Sequence, residues 1–178
     1  MRIRASFGAV AACAMLALTL TACGKSANTS QPAAPNKPCT VDQITVTANF
    51  GAAPTVTLPK DCATPTTLLS KDIVPGTGTA VVSGDTISAD YQLTTWSNDQ
   101  MVQQSFGSQP FSAPIGVGRV IPGWDTGLIG QKAGGRRLLV IPPSLGYGST
   151  AQDGIKANET LVFVIDVHSV TAGAPTGS

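Results

Sequence analysis

The chain has 178 residues, room for one domain with appendages, and only 12% of them are charged. The formal net charge is +1, and setting aside Arg2 and Arg4 of the leader described below leaves 9 of the 11 basic residues against 10 acidic ones, or −1. That balance excludes the basic field a nucleic-acid partner needs, while 19 glycines and 13 prolines favour short strands and turns over long helices.

Met1-Arg2-Ile3-Arg4 is a short basic start. A nearly unbroken apolar run follows from Phe7 to Ala22, short for a membrane span and ending in small residues, which reads as an export signal. Its end, Leu20-Thr21-Ala22-Cys23, resembles the lipobox of bacterial lipoproteins. That resemblance implies a signal peptide over 1–22, lipid on Cys23 and a location outside the cytoplasm, anchored to the cell membrane through that lipid. Several acyl chains anchor stably where one does not. The alternative is an ordinary signal peptide with a chance cysteine. From Cys23 to Pro38 the chain is small, polar and proline-rich without periodicity, which makes residues 23–38 a lipidated cysteine and flexible tether.

Cys13 falls inside the leader, which leaves Cys39 and Cys62 as an even pair in an exported chain. A disulfide is the natural reading; two free thiols are the alternative. Between them lie two short alternating β-branched runs, within residues 43–50 and 54–59. They predict a hairpin-like β extension over residues 39–70, bracketed by the disulfide.

Beyond residue 71, strand patterns cover 86–96, 136–142 and 160–170, with turn signals between them. The one credible helix lies in 120–130, where Ile121, Trp124 and Leu128 share a face, although Pro122 and three glycines make it a poor helix taken alone. The predicted class is α+β: an antiparallel sheet with one short helix packed on it, over residues 71–170, followed by a disordered tail at 171–178.

Familiar catalytic chemistries are poorly served. His168 is the single histidine and reads as a strand-end residue, no G-x-S-x-G turn surrounds Ser144, and no Walker A or dinucleotide fingerprint occurs. No tight cluster of metal ligands is present, and neither metal nor cofactor is expected. Aromatic residues stand out instead. Besides Phe50, the mature chain carries Tyr91, Trp96, Phe106, Phe111, Trp124, Tyr147 and Phe163, all between 91 and 163. An ordinary core is one explanation for them.

Their flanking residues suggest another. Val120-Ile121-Pro122-Gly123-Trp124, a Gly-rich turn, a basic strand ending Ile141-Pro142-Pro143, and Tyr147-Gly148 resemble, in order, the FKBP-type peptidyl-prolyl isomerases. Tyr91, the Pro110-Phe111 pair and Thr160-Leu161-Val162-Phe163 extend the resemblance over about 71–170. It implies a twisted antiparallel half-barrel wrapped around one short helix, with a pocket between helix and sheet. Its catalytic residues would be Tyr91, Ile121, Trp124, Tyr147 and Phe163. Trp124 would lie beneath a substrate proline, and the Ile121 N–H and Tyr147 hydroxyl would donate to substrate carbonyls. Val102, Gln103, Phe111, Val120 and Ile155 would contact the rest of the substrate.

The resemblance further implies a monomeric isomerase acting on proline-containing exported polypeptides, open to macrolide inhibitors of the FKBP-binding type. The chain departs from the pattern at Val102 and Gln103, where the family usually has Phe-Asp, and at Ala113, where a second aromatic is common. The flap at 153–159 keeps only Ile155 of the usual Ile-Pro-Pro. These departures motivate an alternative, an FKBP-fold binding or chaperone lipoprotein with weak or no isomerase activity. Arg136 and Arg137 are expected as one solvated and one half-buried strand residue, Trp96 against the extension, and Phe106 in a variable loop within possible reach of substrate.

Overall fold

The computed structural model describes residues 37–173. The leader, Cys23 and most of the tether lie outside that range, as do residues 174–178. In chain order the strands are β1 (Thr45–Thr47), β2 (Thr55–Thr57), β3 (Leu69–Val74), β4 (Thr86–Thr95), β5 (Gln100–Gln104) and β6 (Phe111–Pro114). The helix α1 (Pro122–Gly127) follows, then β7 (Gly135–Ile141) and β8 (Leu161–Thr171). Single 3-10 turns occur at Val41–Gln43 and Pro143–Leu145. Among the described residues no helix is long and apolar enough to cross a membrane.

β1 and β2 pair with each other. The main sheet is antiparallel throughout, in the order β3-β7-β8-β4, and the outer edge of β4 is shared by two short strands. β6 pairs with Thr86–Ala89 of β4, and β5 with Gln92–Thr95. The class is α+β, as the residue patterns predict, and the three longest strand patterns form β4, β7 and β8. β3, β5 and β6 carry no readable alternation. They lie on sheet edges, where pairing with a neighbour rather than a buried face makes them strands. Two limits also shift: β3 begins at Leu69, inside the expected extension, and β8 runs through Thr171, into the expected tail.

β7 and the first part of β8 are buried on both faces, which explains their continuous apolar runs. Leu139, Ile141, Leu161, Phe163 and Ile165 face α1 and pack with Trp124 and Leu128. Alternate residues Leu138, Val140, Val162 and Val164 face the other way and pack on Ile44 and Leu58 of the extension. Trp96 joins this second cluster, as expected. The Cys39–Cys62 disulfide is formed, with a separation of 23 residues, and staples the ends of the extension together. Beside it, the Cys39 N–H donates to the Ala63 carbonyl at 2.8 Å.

The arginine pair corrects the sequence expectation, since neither side chain is solvated. Arg136 is 0% exposed, and its guanidinium grips Asp166 through two bonds, at 2.6 and 2.8 Å. It also donates to the Ala48 and Ala52 carbonyls of the β1–β2 loop. Asp166 in turn accepts the Gly51 N–H at 2.6 Å. Arg137 reaches the opposite face. There it pairs with Asp72 and donates to the Gly127 and Ile129 carbonyls at the end of α1, where a cation is favoured. Sequence patterning missed both because long polar side chains can satisfy themselves inside a sheet layer.

α1 is only six residues long, with Ile121 and Leu128 as its caps. Its glycines allow close approach. A Cβ on Gly123 would lie 2.4 Å from Cγ2 of Ile141, and one on Gly127 would lie 2.8 Å from Cδ1 of Leu139. Alanine would improve helix propensity by about 1 kcal/mol, yet overpacking costs about 1–3 kcal/mol. Gly123→Ala is therefore expected to lower stability, which urea denaturation measures. In the same assay, Arg136→Met leaves Asp166 buried without its partner and should cost about 3–5 kcal/mol. The double variant Arg136→Met, Asp166→Leu should recover only part of that loss, because the Ala48 and Ala52 carbonyls and the Gly51 N–H then lose their partners.

Candidate functional site

The concave side of the sheet holds an open cavity of about 520 Å³. Trp124, 4% exposed, forms its floor. α1 carries the indole down to the sheet, and nothing among the described residues accepts a hydrogen bond from its Nε1. Three rings stand nearly perpendicular to the indole. Tyr91 has its centroid 5.6 Å away at 82°, Phe111 lies at 5.6 Å and 89°, and Phe163 at 5.3 Å and 84°. Edge-to-face packing of this kind is the favoured aromatic geometry. The four rings come from β4, β6, α1 and β8, so no local pattern reveals their meeting.

Tyr91 sits where β4 passes from its β6 partner to its β5 partner. Ser105 fills the gap in the ladder. Its N–H donates to the Tyr91 carbonyl at 2.9 Å, and its Oγ accepts the Tyr91 N–H at 3.1 Å. Burial raises the Tyr91 phenol above its ordinary value of 10.0, with the nearby Tyr147 adding to the effect. The hydroxyl therefore stays a neutral donor.

The other walls are Gln103, Val120, Ile121 and Tyr147, together with Gly118 and Arg119, which the sequence reading did not include. Gly118 and Arg119 belong to the loop entering α1. Asp125 anchors that loop by accepting the Gly116 and Gly118 N–H groups, both at 2.7 Å. Gly116 and Gly118 have φ of +79° and +72°, which explains the two glycines before Val120. The Ile121 N–H has no acceptor among the described residues, while the Ile121 carbonyl accepts from Trp124 and Asp125.

Val102 and Ile155 line a second cavity of about 480 Å³, which shares Gln103 and Tyr147 with the first. The flap closes on itself there, with Gln152 and Ile155 exchanging backbone bonds at 3.0 and 2.9 Å. Ile155 is buried against the core.

Phe106 is directed away from this site. Its ring lies 5.5 Å from the Arg136 guanidinium, on the face of the sheet that the extension covers. His168 is also more engaged than a plain strand-end residue: its Nε2 is 2.8 Å from Asp90, and the Phe50 ring meets its imidazole edge-on at 5.4 Å. Asp90 also accepts the Ser105 hydroxyl at 2.8 Å. No group of three or more metal-ligating side chains occurs among the described residues. The cavity thus offers ring surfaces and hydrogen-bond donors, an arrangement suited to holding an apolar ring and its flanking carbonyls rather than to acid, base or nucleophilic chemistry.

Residues 77–168 match the family model described as FKBP-type peptidyl-prolyl cis-trans isomerase. The FK506-binding protein of Streptomyces anulatus is 39% identical over 109 residues, which cover 60% of this chain and 88% of that protein. FK506-binding protein 4 of Chaetomium thermophilum is 48% identical over 95 residues, 53% of this chain but 20% of the relative, so the chain spans about a fifth of that longer protein. Among solved structures, FkpA from Escherichia coli superposes with a TM-score of 0.54 at 35% identity, covering 60% of this chain and 49% of that one. The shared fold, the aromatic cavity and the extent of the match together place the chain in the FKBP-type peptidyl-prolyl cis-trans isomerase family.

Proposed function

We propose that the chain accelerates cis–trans isomerisation of X–Pro bonds in exported polypeptides, while held outside the cytoplasmic membrane by lipid on Cys23. The observation that carries the catalytic part is the indole floor ringed by three perpendicular aromatic side chains. The barrier to rotation is about 18–20 kcal/mol and arises from amide resonance. The planar amide is the more charge-separated form. Moving it from water into an apolar pocket disfavours it relative to the twisted form and removes water from its carbonyl.

In this reading the proline ring rests on Trp124, between Tyr91, Phe111 and Phe163. The Ile121 N–H and the Tyr147 hydroxyl donate to the substrate carbonyls and hold the twisted geometry. Donors already in place for the transition state lower the barrier by binding it more tightly than the ground state. Val102, Gln103, Val120 and Ile155 contact the chain on either side of the ring. One chain lines the whole cavity, so a monomer suffices. A macrolide of the type that FK506-binding proteins are named for should compete with peptide.

The location is supported by the apolar leader, by Leu20-Thr21-Ala22-Cys23, and by a Cys39–Cys62 disulfide suited to an oxidising compartment. Metabolic labelling with a fatty-acid analogue should tag the protein, and Cys23→Ser should abolish the label. A wild-type protein that takes up no label would overturn the lipid anchor.

A cis X–Pro peptide assay tests the activity. Trp124→Ala with Tyr147→Phe should lower kcat/KM at least about tenfold, and equal rates for the wild type and this double variant would refute catalysis. Tyr91 adds a pH expectation. Its raised pKa keeps the folded phenol neutral after an unfolded one has ionised, so stability from this group is present below the ordinary value of about 10 and is lost as pH rises beyond it. Peptide affinity should accordingly stay flat between about pH 7.5 and 9.5.

One observation favours a second reading, in which the pocket grips proline-containing chains with little turnover. Gln103 puts a neutral amide on the cavity wall where the family usually places a carboxylate. A large gain in rate from Val102→Phe with Gln103→Asp would support it, and little change from an already good rate would dismiss it.

A further inference from the structure

Two charges border these neighbouring cavities. Arg119 lines the aromatic cavity, and Asp153 lines the side cavity beyond Gln103 and Tyr147. Both are exposed, and neither forms an ion pair among the described residues. The nearby Lys156, exposed as well, is not paired with Asp153.

The two donors of the site set which part of a substrate meets each charge. With the Tyr147 hydroxyl, which borders both cavities, taken as the donor to the carbonyl of X, the side chain of X faces the second cavity. That space is the cavity of about 480 Å³ bounded by Val102, Gln152, Asp153 and Ile155. Val102 and Ile155 offer aliphatic surface, the two glutamines offer amides, and Asp153 supplies the one carboxylate. A long basic side chain suits this lining, since its methylenes cover apolar surface while its charged head stays in water. With the Ile121 N–H then donating to the proline carbonyl, the residue after proline falls on the Arg119 side of the first cavity, where an acidic residue is favoured.

We infer that the site prefers X–Pro bonds in which X is Lys or Arg and an acidic residue follows the proline, with Asp153 and Arg119 setting that preference. This rests on the isomerase reading above and names the substrate class of the same site. Because both charges are exposed, each pairing should change kcat/KM by roughly two- to fivefold, and the preference should fade in high salt.

The test compares peptides with Lys, Leu or Glu before the proline and Ala or Glu after it, on the whole protein, in low and high salt. Turnover and intrinsic tryptophan fluorescence titrations are both read. At low salt the expected order before the proline is Lys, then Leu, then Glu. Asp153→Asn should flatten that order, and Asp153→Lys should reverse it. Arg119→Gln should remove only the advantage of the following Glu. Unchanged thermal melting shows that these surface variants fold. An order that survives Asp153→Asn, or that ignores salt, overturns the inference. Absence of turnover for every peptide refutes the isomerase reading instead, and the binding order by fluorescence then still decides the preference.

Discussion

Trp124 reaches the sheet because α1 has no side chains at the two positions that touch β7. Gly123 rests on Ile141 and Gly127 on Leu139, closer than any Cβ would permit. The helix thereby gives up propensity to gain contact, and packing outweighs the loss. The remaining geometry follows from that approach. Leu128 is buried beside Trp124 in the same core. Arg137 then closes the far end of the helix through the Gly127 and Ile129 carbonyls. With α1 set, Asp125 holds the loop before it, so Arg119, Val120 and Ile121 come to the cavity wall together.

The opposite face of the same strands does different work. Asp166 and Arg136 lie side by side on β8 and β7, beneath the β1–β2 loop. A buried ion pair contributes little to stability by itself when compared with apolar packing, but it is intolerant of losing one member. Here it also fixes where the extension sits, because the loop's carbonyls and N–H groups complete its hydrogen bonding. Phe106 covers the guanidinium, and Asp90 links His168 to Ser105, the residue that bonds both backbone groups of Tyr91. The extension and the Tyr91 wall of the cavity are thus joined through one polar layer.

Catalysis of bond rotation asks little of titratable chemistry, which is why a chain with one histidine, and no ligand cluster among the described residues, can serve it. What it asks for is a dry surface of the right shape and donors held in advance. Val102 lines the neighbouring cavity and Gln103 lines both, so these two positions shape the space beside the ring site.

The aromatic and glycine motifs around Trp124, the long strands β4, β7 and β8, and the pairing of Cys39 with Cys62 were legible from residue order alone. Each depends on local spacing or on the identity of a few side chains. Edge strands β3, β5 and β6 were not legible, because a neighbour's hydrogen bonds, not an alternating pattern, make them strands. Nor did residue order reveal that Arg136 is buried while Phe106 turns from the pocket to cover it. Those positions follow from which face of the sheet the extension occupies. The sequence by itself determined the kind of pocket, since ring surfaces and donors are carried by identity. Only the tertiary structure decided its borders, placing Arg119 at one cavity and Asp153 at the other, because long-range strand pairing and the Gln152–Ile155 turn set which side chains reach each cavity.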